Sequence, residues 1–257
     1  MDIATIVGLV LGFGAILGGQ VLEGGHISSI SQPTAALIVL GGTWGAVCVS
    51  FPLKVVKQAF GQVSIAFTEM KEKPAELIHE IVELAKKARK EGILALEADA
   101  EKAKNHFLKK SLGLVSSGTD PKLVREILEK EMAYKGERGH AAAKVWESAG
   151  AFSPTIGIIG AVLGLIHVME NLSDASKLGS GIAVAFVATV YGVATANLLY
   201  LPIGGKMKLK HRQEEIVEEI ILEGTLAIQA GDTPSVINEK LLAFLDEKDK
   251  VHKAGKK

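Results

Sequence analysis

Apolar residues in this chain are gathered into long blocks instead of being spread at one helical or strand spacing, and the blocks come in two pairs. The first pair is residues 1–22, MDIATIVGLVLGFGAILGGQVL, and Thr34 to Phe51, TAALIVLGGTWGAVCVSF, around the polar turn EGGHISSISQP. The second is AGAFSPTIGIIGAVLGLIHVMENL from Ala149 and GSGIAVAFVATVYGVATANLLYLPIGG from Gly179, around a short polar loop. Roughly 18 to 20 apolar residues let a helix cross a bilayer core of about 30 Å, so the pattern predicts four membrane spans in two hairpins. Residues 1–22 lack the positive n-region and cleavage site of a signal peptide and are read as the first span.

The second pair is patterned internally. Ala185, Ala188, Gly192 and Ala196 recur at steps of three or four, with Thr189 beside them, and the third span repeats the device with Gly150, Gly157, Gly160 and Gly164. In lipid, helices associate through such close-packing stripes and sparse hydroxyl contacts. Pro154 and Pro202 each remove an intrahelical hydrogen bond, which is tolerated at this depth only where neighbours or water satisfy the freed carbonyl. If the two spans are antiparallel, both prolines lie near one membrane face.

Between the pairs the pattern becomes amphipathic. Val56, Phe60, Val63, Phe67 and Met70 predict that span 2 continues as a helix past Leu53. After Pro74 a helix from Ala75 to Lys90 carries Leu77, Ile81, Leu84 and Ala88. Another begins after Gly92 with Ile93, Leu96, Ala100, Ala103 and Phe107. Asp120 before Pro121 is an N-cap with a first-turn proline, and that helix is expected to run through Tyr134 towards span 3. Beyond Pro202 a charged helix shows Ile216, Ile220, Gly224 and Ala227, and Thr233 before Pro234 starts a last one ending near Leu245. The final DEKDKVHKAGKK reads as a frayed tail. The expected fold is therefore an all-α integral membrane protein of four transmembrane helices. A hairpin (1–52), a helical cytoplasmic domain (53–148), a second hairpin (149–205) and helical cytoplasmic tail (206–257) follow in order.

Charge adds orientation. The 29 acids and 29 bases cancel, so the total gives no reason to expect nucleic acid. Residues 23–33 hold no lysine or arginine and 173–180 only Lys177, against 18 in 52–149 and 10 in 206–257. The positive-inside rule places both large polar parts, and hence both termini, in the cytoplasm. The lone Cys48 cannot form an intrachain disulfide and is read as a small buried apolar residue.

Candidate chemistry is sparse. No metal-ligand spacing, phosphate loop or nucleophile grouping is present, and an enzyme is not expected. Between Ala149 and Val168 the only ionisable group is His167, and between Gly179 and Gly205 only the phenols of Tyr191 and Tyr200. Ion movement through a bilayer calls for a titratable or coordinating group near its middle. Either this chain does not conduct, or a partner brings the carboxylate and this chain forms the wall.

The order of GLVLGFGAILGG, EGGH followed by QPTAALIVLGGTWGAV, SPTIGIIGAVLGLI and AVAFVATVYGVATANLLYLPI resembles the MotA/PomA family of flagellar stator subunits over nearly the whole chain. The resemblance implies a ring, pentameric in that family, around two transmembrane helices of a dimeric MotB-like partner that supplies the ion-binding aspartate. Ion flow would turn the ring, and its cytoplasmic rim would drive the rotor protein FliG in a bacterial inner membrane. Pro154, with Thr155 beside it, and Pro202 match the family's coupling prolines at the inner mouth. Thr189 matches its pore-lining threonine, about 20 Å further from the cytoplasm. Arg89 and Glu97 match its rotor-facing pair. Sodium-driven members carry threonines where Ala161 and Ala188 stand here, so the resemblance implies H+ as the transported ion, with no cofactor. An energy transducer of the ExbB/TolQ type, or a passive membrane scaffold, are the alternatives.

Overall fold

The computed structural model describes residues 2–69 and 73–245, residues 175–177 by backbone alone. Met70 and the charged tail lie outside the described residues. Every regular element among the described residues is helical, and four helices are long and apolar enough to cross a membrane. The chain divides into two compact units: unit 1 is Met1–Glu69 with Gly139–Lys210, and unit 2 is Met70–Arg138 with His211–Lys257. The division differs from boundaries drawn at the ends of the apolar blocks, because residues 53–69 and 139–148 pack with the spans.

In unit 1, α1 (Ile3–Leu22) is capped by the Asp2 carboxylate, which accepts from the Thr5 N–H. None of its side chains is buried within the protomer. Span 2 is built from α2 (Pro33–Ala36), a π-helical turn (Leu37–Gly41) and α3 (Gly42–Ser50). It does not continue into the following segment as the amphipathic pattern predicted. Phe51 is extended (φ −131°, ψ 143°), the conformation imposed on a residue preceding proline, and Pro52 has no N–H to carry the ladder on. The helix restarts as α4 (Leu53–Gln62), which buries Val56 and Ala59, and closes in a 3-10 turn (Val63–Phe67). Cys48, expected to be buried, is exposed on span 2.

Span 3 is the far part of α8 (Pro121–Glu170), a single helix of 50 residues whose start is capped by Asp120. The expectation that this helix runs on from the Asp120 cap into the span is met. Span 4 comprises α9 (Ala175–Thr195), a π-helical turn (Ala196–Tyr200) and the start of α10 (Leu201–Gln229). Beside Pro154 and Pro202 an aromatic cluster forms: Trp44 packs edge-on against Trp146 at 5.4 Å and Tyr200 at 5.7 Å, and Phe60 lies 5.2 Å from Trp146. The Trp146 indole N–H donates to the Ala59 carbonyl at 3.2 Å, giving a buried aromatic the partner its polar edge needs.

In unit 2, α5 (Pro74–Glu91), α7 (His106–Ser116), the first turns of α8, the last turns of α10 and α11 (Pro234–Leu242) share one apolar core. Ile81, Leu128, Ile220, Ile221, Ile237 and Leu241 are wholly enclosed. Gly224 lets α10 approach closely, since a Cβ there would stand 2.7 Å from Ile81. The hydroxyls of Ser111 and Thr225 pair at 2.6 Å inside this core, leaving neither buried oxygen unsatisfied. The helix expected from Gly92 through Phe107 is interrupted. A 3-10 turn (Ile93–Leu96) leads into the short α6 (Glu97–Lys102), Ala103 is extended, and Asn105 caps α7 by accepting from the Phe107 and Leu108 N–H groups. An asparagine oxygen competes well for those free donors and so starts a new helix. On α8, Lys135 reaches the buried Glu218 of α10 at 2.7 Å. Burial pushes that carboxyl above its ordinary range, against the pull of the lysine.

Candidate functional site

Spans 3 and 4 run antiparallel, and their register is set by backbone contact. A Cβ at Gly157 would stand 2.9 Å from the Ala188 carbonyl and 3.2 Å from Gly192 Cα, and one at Gly164 would stand 2.7 Å from Ala185 N. At the proline end a Cβ at Gly204 would stand 3.0 Å from Glu147 N. The glycine and alanine stripes read from the sequence thus face each other, with helix backbones touching along four turns.

This register brings the two proline irregularities together. Pro154 lies inside α8 and leaves the Gly150 carbonyl without its helical donor. Gly150 packs on Leu201, whose N would be 3.2 Å from a Cβ there, and Leu201 immediately precedes Pro202. The Leu201 N–H donates to Ala196 O, five residues back, so span 4 is widened by a π turn just where Pro202 withdraws its own N–H. Two weakened turns are in contact at one end of one hairpin.

One step deeper, the buried Ser153 hydroxyl meets Thr195 Oγ1 at 2.8 Å, and Thr195 donates to the Tyr191 carbonyl at 2.7 Å. A hydroxyl has one proton to give, so Ser153 is the donor of the pair. The Tyr191 hydroxyl in turn donates to the Ile30 carbonyl at 2.6 Å and accepts from the Gln32 N–H at 3.3 Å, which ties the turn before span 2 to span 4. Sequence reasoning gave Ser153 and Thr195 no role. Only the register of the hairpin pairs Ser153 with Thr195, and nothing local announces it.

The side chains expected to act are distributed over this hairpin as follows. Pro154 and Ala161 are half-buried and Thr155 and Pro202 are exposed within the protomer. Thr155 donates to the Phe152 carbonyl at 2.7 Å. Thr189 is half-buried and donates to Ala185 O at 3.3 Å, a long bond within its own helix. Its oxygen keeps lone pairs able to accept from an incoming carboxylic acid. Ala188 is fully buried, its methyl against Gly160 and in one cluster with Ala35 and Val39 of span 2. In unit 2, Arg89 is exposed in the last turn of α5 and Glu97 is exposed in the first turn of α6. The left-handed Gly92 (φ 86°) parts them, so they occupy two helices and not one face.

A charged anchor lies at the proline end of unit 1. Asp2 pairs with Lys206 at 2.8 Å and Lys210 at 3.4 Å, and Lys206 also donates to the Thr5 hydroxyl at 2.6 Å. The hydrogen bond from Lys206 is the main reason the Asp2 carboxyl falls to about 2. With the folded pKa below its ordinary 3.8, the pairing stabilises fully above 3.8 and is lost as pH falls towards about 2. Asp2→Asn keeps a competent N-cap and removes the charge. The variant in detergent is expected to melt below the wild type at pH 7 and to lack the wild type's further drop in that acid window.

The fold and this tightly packed hairpin define a helical membrane protein with four spans. Residues 99–221 match the model of the MotA/TolQ/ExbB proton channel family, and residues 6–92 match that of the motility protein A N-terminal region. Motility protein A of Bacillus subtilis (strain 168) is 37% identical over 252 residues, covering 98% of this chain and 93% of that one. The chemotaxis protein PomA of Vibrio alginolyticus is 37% identical over 250 residues, covering 96% of each. The solved C. jejuni MotAB structure superposes with a TM-score of 0.90 at 31% identity over 96% of this chain and 97% of that one. The flagellar MotAB stator complex of Bacillus subtilis gives 0.89 at 37%, over 97% and 98%. The chain belongs to the MotA family of motility proteins, within the wider proton channel family. It is an inner-membrane channel component and not an enzyme, and the match of its first span pair to the motility N-terminal region removes the ground for an ExbB/TolQ reading.

Proposed function

We propose that this chain is the stator subunit of a flagellar motor, forming a pentameric ring around the two transmembrane helices of a dimeric MotB-like partner. The carrying observation is the hairpin itself: it holds no acid from Ala149 to Val168 or from Gly179 to Gly205, Pro154, Thr155 and Pro202 stand at the end where two weakened helical turns touch, and Thr189 stands deeper on span 4. The partner's aspartate takes up a proton from the outer side beside Thr189, whose free lone pairs accept the carboxyl O–H. Its release at the inner mouth is coupled to a shift of the hairpin at Pro154 and Pro202. One elementary charge falling through 100 mV supplies roughly 2.3 kcal/mol, against helical turns already lacking their hydrogen bonds.

Both termini are cytoplasmic in this reading. The ion pairs of Asp2 with Lys206 and Lys210 support it, because they bring the start of span 1 beside the lysines that follow span 4. H+ is the transported ion, since Ala161 and Ala188 offer no oxygen for coordinating sodium. Co-expression with an unplugged partner is expected to make the membrane leak protons. Swimming that stopped on sodium removal at a constant proton gradient would contradict the choice of ion. Arg89 and Glu97 face the rotor protein FliG. Arg89→Glu and Glu97→Lys are each expected to reduce torque with proton leak unchanged, and a compensating charge on FliG to restore it. Torque unaffected by both reversals would remove that surface from the motor contact.

A further inference from the structure

The segment that follows span 2 runs along one face of the membrane. It begins after Ser50, the last helical residue of span 2, at the break made by Phe51 and Pro52. Its far end is tied to the first turn of span 1: the Asp2 N–H donates to the Phe67 carbonyl at 2.8 Å, and the Thr5 hydroxyl to the Ala66 carbonyl at 3.0 Å. The stretch made of α4 and its closing 3-10 turn is thus held at both ends where two spans leave the bilayer, on the side of Pro154 and Pro202. Aromatic rings mark its depth. Phe60 packs on Trp44 at 4.7 Å and on Trp146 at 5.2 Å, and Tyr200 joins the group. Both tryptophans of the chain are in that cluster, and tryptophan and tyrosine concentrate where hydrocarbon gives way to headgroups.

The surface of α4 is ordered to match that depth. Val56 and Ala59 are buried in one cluster with Trp146. Leu53 is 61% and Phe60 47% exposed, and Lys54 and Lys57 are exposed beside them. At 3.6 residues per turn the two exposed apolar residues lie between the buried pair and the two lysines. A helix lying in the membrane plane needs that sequence of strips, with apolar side chains among the acyl tails and lysines reaching back to the headgroups. The charge there has one sign. From Phe51 to Thr68 the chain has two lysines and no acid, and neither lysine has an ion-pair partner among the described residues. The lysines that follow span 4 are engaged instead, Lys206 and Lys210 by Asp2 and Lys208 by Glu147 at 3.8 Å.

We propose that Lys54 and Lys57 bind the headgroup of an anionic phospholipid in the proline-side leaflet, with Leu53 and Phe60 set against its acyl chains. A free phosphate would find two lysines on an open surface and no converging donors to orient it. A lipid is delivered to that surface by the bilayer that the adjoining spans cross, and it satisfies the apolar strip and the unpaired charges together.

The test melts the full-length protein, as extracted from the membrane in detergent, with rising amounts of phosphatidylglycerol or of phosphatidylcholine with the same acyl chains. Phosphatidylglycerol is expected to raise the melting temperature at much the lower concentration. Replacing both lysines, Lys54→Gln with Lys57→Gln, should demand about thirtyfold more of it for the same rise, at about 1 kcal/mol per lysine. Leu53→Gln should weaken the response to both lipids alike. All three side chains are exposed, so the variants should melt with the wild type when no lipid is added. Inorganic phosphate should have no effect. A photo-crosslinking residue at position 53 in native membranes is expected to gain the mass of a phospholipid. Equal rises from the two lipids, an unchanged response of the double-lysine variant, a rise with inorganic phosphate, or crosslinking to a second copy of this chain in place of lipid would overturn the proposal.

Discussion

Replacing Pro154 with alanine is expected to abolish swimming driven by this subunit while the protein remains in the membrane at its normal level. Alanine restores an N–H that donates to the Gly150 carbonyl and removes a ring that clashes with it, a change that favours a regular helix by roughly 3 kcal/mol. The variant should therefore melt no lower than the wild type in detergent, and higher if the local helix tightens. What is lost is the softened turn facing Leu201 and the π-helical turn before Pro202. A helix with every hydrogen bond made resists the shift that we propose couples proton release to movement. Stability and function are expected to part in opposite directions, a pattern that a merely structural proline does not produce. Disappearance of the protein from the membrane would instead reduce Pro154 to a folding role.

The second large effect is expected at Gly192. A Cβ there would stand 2.6 Å from the Ser153 carbonyl and 3.0 Å from Gly157 Cα. Both obstacles are backbone, so no rotamer change can relieve them. Gly192→Ala must push spans 3 and 4 apart, which strains the Ser153 to Thr195 hydrogen bond one turn away. Overpacking of this kind costs roughly 1–3 kcal/mol, and a bulkier residue such as leucine is expected to prevent assembly of the hairpin. The observable is the amount of folded protein extracted from the membrane and its melting temperature. Gly45→Ala in span 2 is the control, because a Cβ at Gly45 meets nothing within 4 Å. Equal behaviour of the two alanine variants would show that the glycine seam is not what holds the spans together.

Much of the fold was legible because lipid simplifies the problem. A long apolar block has few fates, and the caps at Asp120 and Thr233 and the prolines after them mark helix starts by local chemistry alone. The errors fell where two local signals competed. The apolar spacing of Val56, Phe60 and Val63 was right for α4, but Phe51 and Pro52 broke its connection to span 2. The spacing from Ile93 to Phe107 hid the Asn105 cap, which divides that stretch. At the site, the prolines and Thr189 were visible as unusual residues in apolar runs. The Ser153 to Thr195 pair was not, since it depends on which turn of span 3 meets which turn of span 4.

By itself the sequence determined that this protein spans a membrane four times, that its basic segments lie on one side, and that its third and fourth spans carry no acid from Ala149 to Val168 or from Gly179 to Gly205. These follow from transfer free energies, which each segment obeys wherever its neighbours lie. Tertiary structure alone decided that Gly150 meets Leu201, that Asp2 binds Lys206 and Lys210, and that Phe60 packs on Trp146. Those are contacts between residues far apart in the chain, and the packing that selects them involves both partners at once.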